Sequence, residues 1–324
     1  MRYATTKIHS LRDLNAVHGM VDAMSLRGDL RLDEPMARHT SWRVGGPADR
    51  YFAPDDVPAL AEFLQTLPAE EPLTWIGLGS NLLVRDGGIR GTVISLTRLP
   101  QQLEQTGDCE VTASAGVACA KLARFSAAAG LTGAEFLAGI PGTLGGALAM
   151  NAGAWGSETW PTVAWVETLD RHGRLHRRTP AEYTIDYRSV QGPAEEWFMR
   201  AALRLEADAA GQARARIRGL LAQRAESQPL GIPSCGSVFR NPPGDYAGRL
   251  IEVCGLKGFA IGRAAVSEKH ANFIINNGGA SAADIEALIA HVQQTVHVQH
   301  GIELIAEAQV VGEVPVTPSE DERL

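Results

Sequence analysis

Two uncharged, glycine-rich stretches have the residue types and spacing to hold a phosphate-bearing ligand. The longer, residues 138–156, places glycine at 139, 142, 145, 146, 153 and 156 among apolar neighbours. The shorter, Gly77-Leu78-Gly79-Ser80-Asn81, follows the apolar run 73–76. Glycine reaches positive φ and lets backbone N–H groups approach a ligand with no Cβ in the way, so such loops can cradle phosphate oxygens. The same composition also makes a tight packing turn. For one such loop alone the packing turn is the better reading; a second in the same chain shifts the balance to the cradle. Gly77-x-Gly79 behind a strand resembles the start of a dinucleotide fingerprint. Leu82 stands where the third glycine belongs, however, and no helix opens behind it, which excludes a Rossmann reading.

The elements that must carry these loops are legible in part. Asp56 can cap a helix whose apolar residues Leu60, Phe63, Leu64 and Leu67 recur at helical spacing. Strands are expected at 73–76, 92–96, 111–115, 163–169 and 197–205, and a helix over 118–129 that ends at Gly130. The Arg- and Ala-rich stretch 208–227 reads as a helix stopped by Gln228-Pro229. Ser281-x-x-Asp284 opens a further helix with Ile285, Leu288, Ile289, Val292 and Val296 on one face. Residues 302–311 alternate as a strand, with Leu304, Ala306 and Ala308 on one face and Ile305, Glu307 and Gln309 on the other. The shift in composition sets an organisation of an N-terminal extension (1–30), a first domain (31–211), a second (212–313) and a charged, disordered tail (314–324).

Composition narrows the class. The formal net charge of −7 over 324 residues offers no broad basic surface, so nucleic acid is not an expected partner. No run of 18 apolar residues and no signal-peptide core is present, so membrane insertion is not expected and a cytoplasmic location is. Cys109, Cys119, Cys235 and Cys254 form no C-x-x-C pair, which reads as reduced thiols. His291, His297 and His300 sit near a helix end, where the dipole favours them, and nothing in their spacing indicates a metal site.

Taken in order, His39-Thr-Ser-Trp-Arg-Val-Gly-Gly-Pro-Ala, Gly77-Leu-Gly-Ser-Asn-Leu-Leu, Ala138-Gly-Ile-Pro-Gly-Thr-Leu-Gly-Gly, Met150-Asn-Ala-Gly-Ala, Tyr187-Arg-Ser, Gly236-Ser-Val-Phe-Arg-Asn-Pro and Val266-Ser-Glu-Lys-His-Ala-Asn-Phe-Ile resemble the UDP-N-acetylenolpyruvoylglucosamine reductase (UDP-N-acetylmuramate dehydrogenase) family. The resemblance is to its shorter form, which lacks a tyrosine-bearing insertion. It implies an α+β chain, with a two-part FAD-binding domain of the vanillyl-alcohol-oxidase/PCMH type followed by a smaller α/β substrate-binding domain. It also implies non-covalent FAD, NADPH as reductant, and reduction of UDP-N-acetylglucosamine enolpyruvate to UDP-N-acetylmuramate in peptidoglycan precursor synthesis. Hydride would pass from flavin N5 to the enolpyruvyl β-carbon and a proton to the α-carbon. Cofactor contacts would fall at Gly77, Gly79, Ser80, Asn81, Gly139, Ile140, Pro141, Gly142, Thr143, Gly145, Gly146 and Asn151. The implied partners are small molecules, and the protein would be a monomer or weak oligomer.

The same resemblance distributes the chemistry. Ser237 matches the proton donor; by residue type alone it would be an ordinary turn serine. Arg188 matches the group that binds the substrate carboxylate, a task that suits a permanently charged fork. Glu307 matches a second electrophilic group, which near a carboxylate helps only as a protonated or proton-sharing donor; the neighbouring Ile305 would supply the apolar surroundings this needs. Tyr187, Arg224, Gln228, Asn241, Glu268 and Lys269 are further substrate candidates, and His270 would pack near flavin or sugar. The chain departs from the family pattern at Leu304-Ile-Ala-Glu307-Ala, which keeps one acid of a usual pair, and at Cys235, where a small alanine is common and where oxidation would strike beside the donor. Two rivals remain at this stage: an alcohol-oxidising flavin oxidase or dehydrogenase on the same cofactor fold, and a UDP-sugar-binding protein that has lost its flavin.

Overall fold

The computed structural model describes residues 26–315. Most of the N-terminal extension and nearly all of the C-terminal tail therefore lie outside the described residues. The first strand already begins at Gly28, so residues 28–30 belong to the first sheet rather than to an extension.

That sheet has four strands in the order Gly28–Pro35, Pro47–Pro54, Ile89–Ser95 and Leu73–Ile76. The first pair is antiparallel and the other two pairs are parallel. Helix Val57–Thr66 makes the crossover. The Asp56 carboxylate accepts the Ala59 N–H at 2.8 Å, satisfying one of the orphan donors of the first turn, and Leu60, Phe63 and Leu64 are buried. Phe63 stacks on Phe52 with ring centroids 4.0 Å apart, so the expected helical face is the one that meets the sheet.

A second sheet is wholly antiparallel, in the order Leu175–Arg178, Val163–Asp170, Glu196–Arg204, Glu110–Ser114 and Leu103–Gly107. Helix Cys119–Ala128 covers it and is followed by Gly130 at φ +74°, the left-handed residue expected there. Helix Ala213–Ser227, in the stretch read from sequence as opening the second domain, packs Ala213 and Ile217 into this same core.

The C-terminal region is a three-stranded sheet, Ala260–Ile261, Ala264–Val266 and Ile274–Asn276, against helix Ala282–His300. The capping box forms as expected: Asp284 N–H donates to Ser281 Oγ at 3.0 Å, and Ser281 N–H donates to Asp284 Oδ2 at 3.1 Å. Long-range ties then join this region to the first sheet. Trp42 is fully buried in the C-terminal core, its indole donating to the Ile274 carbonyl at 2.8 Å. Asp86 accepts the Ala282 and Ala283 N–H groups at 2.9 and 3.0 Å, a second cap on the long helix.

The expected single strand over 302–311 is corrected. Only Gln309–Val311 forms a ladder, parallel to Leu82–Val84. Residues before it follow a different partner: Ile305 C=O accepts the Arg240 N–H at 2.9 Å, Glu307 N–H donates to Val238 C=O at 2.7 Å, and Ala306 faces Phe239 as an isolated bridge. A strand that changes partner cannot keep one alternation throughout. Leu304 and Ala308 are buried, but Ile305 is 60% exposed.

Candidate active site

The Gly77–Asn81 and Gly139–Gly146 loops face one cavity of about 350 Å³. In the shorter loop, Gly79 adopts φ +59°, and a Cβ there would lie 1.9 Å from the His39 carbonyl oxygen, so no other residue fits. Among the described residues, the backbone N–H groups of residues 77–81 and of Thr143 and Gly146 donate to no protein acceptor. The longer loop leads into helix Leu144–Met150, whose Thr143 N-cap makes no side-chain cap. Backbone donors left without a protein partner and gathered on one cavity fit an anionic ligand.

A second cavity of about 300 Å³ adjoins the first, sharing Trp75, Ile76, Gly77, Thr143, Gly146 and Ala149 with it. Its aromatic wall includes Trp75 and Trp197, stacked at 4.5 Å, together with Tyr183 and Phe198. Trp75 Nε1 and Tyr183 Oη are buried there without a hydrogen-bond partner. Orphan polar atoms on an apolar, aromatic-walled cavity suit a planar, hydrogen-bonding ring system. Together the two cavities have the shape and chemistry of a site for an extended dinucleotide cofactor such as FAD.

Three segments distant in sequence bring Arg188, Ser237 and Glu307 onto the first cavity. Tyr187-Arg188 forms the tight turn of the hairpin Thr184–Asp186 and Ser189–Gln191, and Arg188 takes a left-handed φ of +55°. Arg240 Nη2 donates to the Arg188 carbonyl at 3.0 Å and helps hold this conformation. The Arg188 guanidinium donates from Nε to Glu307 Oε1 at 2.6 Å, from Nη1 to the Asn151 carbonyl at 3.2 Å, and from Nη2 to the Gly153 carbonyl at 2.7 Å. A guanidinium has five N–H donors, so two remain for a ligand. Glu307 is itself tethered, because Asn81 Nδ2 donates to its carbonyl at 2.9 Å.

The environment expected around Glu307 is corrected here. Ile305 points to solvent, and the group that faces the carboxylate is the Arg188 guanidinium. Ser237 is half-buried behind Gly236, and its hydroxyl has no protein partner among the described residues. Cys235, which also lines the cavity, is buried, and burial together with the nearby Glu307 charge pushes its thiol pKa up. A raised thiol pKa disfavours the reactive thiolate.

The other candidates divide. Tyr187, Arg224, Gln228 and Asn241 line the cavity. Arg224 donates to Gln228 Oε1 at 2.9 Å and has no carboxylate partner among the described residues; burial lowers its pKa, as for a cation poorly served by solvent. Glu268 and Lys269 do not line either cavity, and Lys269 Nζ instead donates to the Ala225 carbonyl at 2.6 Å. Gly145 lines only the second cavity, where its N–H donates to Ala115 C=O at 2.8 Å. Asn151 lines neither. It is a left-handed C-cap that binds Glu158 and the Trp160 N–H and offers its own carbonyl to Arg188. His270 lies outside both cavities, packed on Phe273, and its Nδ1 accepts the Asn272 N–H at 3.2 Å. Burial lowers its pKa, in keeping with an Nδ1 that accepts rather than donates. Sequence reasoning missed Trp75, Tyr183 and Asn272. Their only signal was an aromatic or amide beside a motif, and nothing local showed which way each would face.

Gly146 separates the two readings of the longer loop. A Cβ there would find nothing nearer than Thr143 Oγ1 at 3.9 Å, and alanine is the better helix former by about 0.8–1 kcal/mol. Gly146→Ala is therefore expected to leave the thermal midpoint unchanged or slightly higher, while FAD affinity falls roughly tenfold as the methyl group enters the cavity, a loss of about 1.4 kcal/mol. Flavin titration followed by fluorescence, beside a thermal melt, checks both. Unchanged affinity would identify the loop as a packing turn.

Comparison with known proteins finds two family models along the chain. Residues 48–179 match a family model described as an FAD binding domain. Residues 228–311 match the model of the UDP-N-acetylenolpyruvoylglucosamine reductase C-terminal domain. The protein of that name from Alkalilimnicola ehrlichii is 59% identical over 286 residues, covering 88% of this chain and 96% of its own. That from Nitrosococcus oceani is 57% identical over 295 residues, covering 91% and 99%. The crystal structure of the Thermus caldophilus reductase superposes with a TM-score of 0.75 at 34% identity, over 88% of this chain and 98% of that one. Among the described residues, no helix is long and apolar enough to cross a membrane. With such identity over nearly its whole described length, the chain belongs to the UDP-N-acetylenolpyruvoylglucosamine reductase family.

Proposed function

We infer that this protein is an FAD-dependent, NADPH-driven oxidoreductase that reduces the enolpyruvyl ether of UDP-N-acetylglucosamine enolpyruvate to the lactyl ether of UDP-N-acetylmuramate, a step of peptidoglycan synthesis. The observation that carries this reading is the convergence of Arg188, Ser237 and Glu307 on a cavity that runs into both glycine loops. Residues 77–81, Thr143 and Gly146 hold the cofactor diphosphate without a covalent link, and the second cavity takes its adenosine half. When bound, FAD supplies two-electron chemistry between NADPH and the enolpyruvyl double bond.

The chain's own groups do the rest. The two unused N–H donors of Arg188 hold the substrate carboxylate, on which negative charge grows as the α-carbon gains electron density. Glu307 accepts from Arg188 Nε and fixes the plane of the fork. The unpartnered Ser237 hydroxyl delivers the proton to the α-carbon. Arg224 serves an anionic group of the nucleotide sugar, and Tyr187, Gln228 and Asn241 line its path. We place the substrate-binding domain at 212–313 and take the protein to act in the cytoplasm, as a monomer or weak oligomer.

Anaerobic NADPH is expected to bleach the flavin bands, and UDP-N-acetylglucosamine enolpyruvate to restore them with formation of the lactyl ether, read by mass spectrometry. A reduced protein that ignores the enolpyruvyl sugar but is rapidly reoxidised by oxygen would indicate instead an alcohol-oxidising flavoprotein.

A further inference from the structure

Asn272 lines the cavity, yet its side chain is spent on the segment that follows Ser237. Its Oδ1 accepts the Phe239 N–H at 2.9 Å, and its Nδ2 donates to the Phe239 carbonyl at 2.8 Å. Its main-chain carbonyl accepts the Val238 N–H at 2.8 Å. The residue is 4% exposed. One carboxamide thus plays the part of a neighbouring strand, satisfying both polar groups of a residue that is itself buried.

On the other side, residues 238–240 are tied to the Glu307 segment through Glu307 N–H to Val238 C=O and Arg240 N–H to Ile305 C=O. The segment is no part of a regular ladder, so Asn272 and the 305–307 backbone are what set its course. Towards the N-terminus, Ser237 is preceded by Gly236 at φ +85°, where nothing lies within 4 Å of a built Cβ. Upstream of that glycine the chain is held by the Ser234–Ile275 bridge, so the serine is set between this anchor and the clamp on Val238 and Phe239.

We propose that Asn272 is a positioning residue: its clamp on Phe239 sets the aim of the Ser237 hydroxyl and its spacing to Glu307 for proton delivery. The inference rests on the reading of Ser237 as the proton donor. Asparagine is required because the clamp needs one donor and one acceptor at a single reach. Aspartate lacks the donor and sets an anion against the Phe239 carbonyl, and serine is too short to meet both groups. Proton transfer tolerates little misplacement, a shift of 1 Å costing on the order of 100-fold.

The test uses the FAD-loaded protein with Asn272→Asp and Asn272→Ser beside Ser237→Ala. Flavin bleaching by NADPH and its recovery on adding UDP-N-acetylglucosamine enolpyruvate are followed by stopped flow, in water and in D2O. Both Asn272 variants are expected to keep flavin content and NADPH bleaching. Recovery should slow by about 10–100-fold with half-saturating substrate changed by less than about threefold, the pattern of a loss confined to the transition state. The solvent isotope effect on recovery should rise. Wild-type recovery in both Asn272 variants, while Ser237→Ala is slow, overturns the proposal. So does a parallel loss of flavin content and bleaching, which assigns Asn272 to folding alone. Wild-type recovery in Ser237→Ala instead removes the proton-donor reading, and this inference with it.

Discussion

Ser237→Ala is expected to leave NADPH-driven bleaching of the flavin intact while slowing the substrate-driven recovery by about 10²–10⁴-fold, the usual contribution of a positioned general acid. That corresponds to about 2.7–5.4 kcal/mol of barrier. The asymmetry between the two halves is the diagnostic part. The hydroxyl has no protein partner among the described residues, so its removal breaks no internal hydrogen bond and costs little stability. It lines the cavity from the segment 235–241, which supplies none of the backbone donors proposed for the diphosphate. Single-turnover absorbance after anaerobic reduction separates the halves. Equal slowing of both would mean that Ser237 shapes the cofactor site rather than serving as the acid.

Arg188→Lys is expected to lower the rate of the same recovery step by about 10²–10³-fold, comparable to losing one preorganised donor at a developing anion. Charge is retained in this variant, so the loss measures geometry. The guanidinium makes three directed contacts, with Glu307, Asn151 and Gly153, and still has two donors to offer. An ammonium has three donors in all, so a lysine that satisfied the same partners would have none left for substrate. Glu307, whose side chain is only 15% exposed, would also lose its bidentate-capable partner. Most of the effect should fall on the rate constant and less on half-saturation, because charge on the substrate carboxylate grows towards the transition state. Rapid-mixing measurements over a substrate series distinguish the two, and a pure half-saturation effect would reduce Arg188 to ground-state binding.

Much of the scaffold is written locally. The Asp56 cap, the Ser281–Asp284 capping box and Gly130 after its helix each act within one turn of chain, and each forms where its residues indicate. The failure of the Gly-x-Gly pattern at Leu82 is likewise local, and a strand, Leu82–Val84, stands there in place of a helix. Two uncharged glycine loops marked the cavity they both line, because backbone approach needs the absence of side chains, which is a property of composition.

What stayed hidden are contacts between residues whose separation along the chain leaves no periodic trace. Arg188 meets Glu307 across 119 residues, Asn81 meets the Glu307 carbonyl across 226, and Trp42 donates to Ile274 across 232. Alternation suggested one strand over 302–311. It could not show that the segment first follows Val238–Arg240 and then Leu82–Val84, a change of partner that turned Ile305 outward and gave Glu307 a cation for a neighbour. Asn151 and Asn272 read in sequence as ligand-facing amides, or as nothing, because a carboxamide serves backbone and ligand equally well. The sequence by itself determined the residue types of the site and the elements that end beside it. Which groups face one another was decided by the tertiary structure, because hydrogen-bond direction and burial are set by packing between segments and not by their spacing within one.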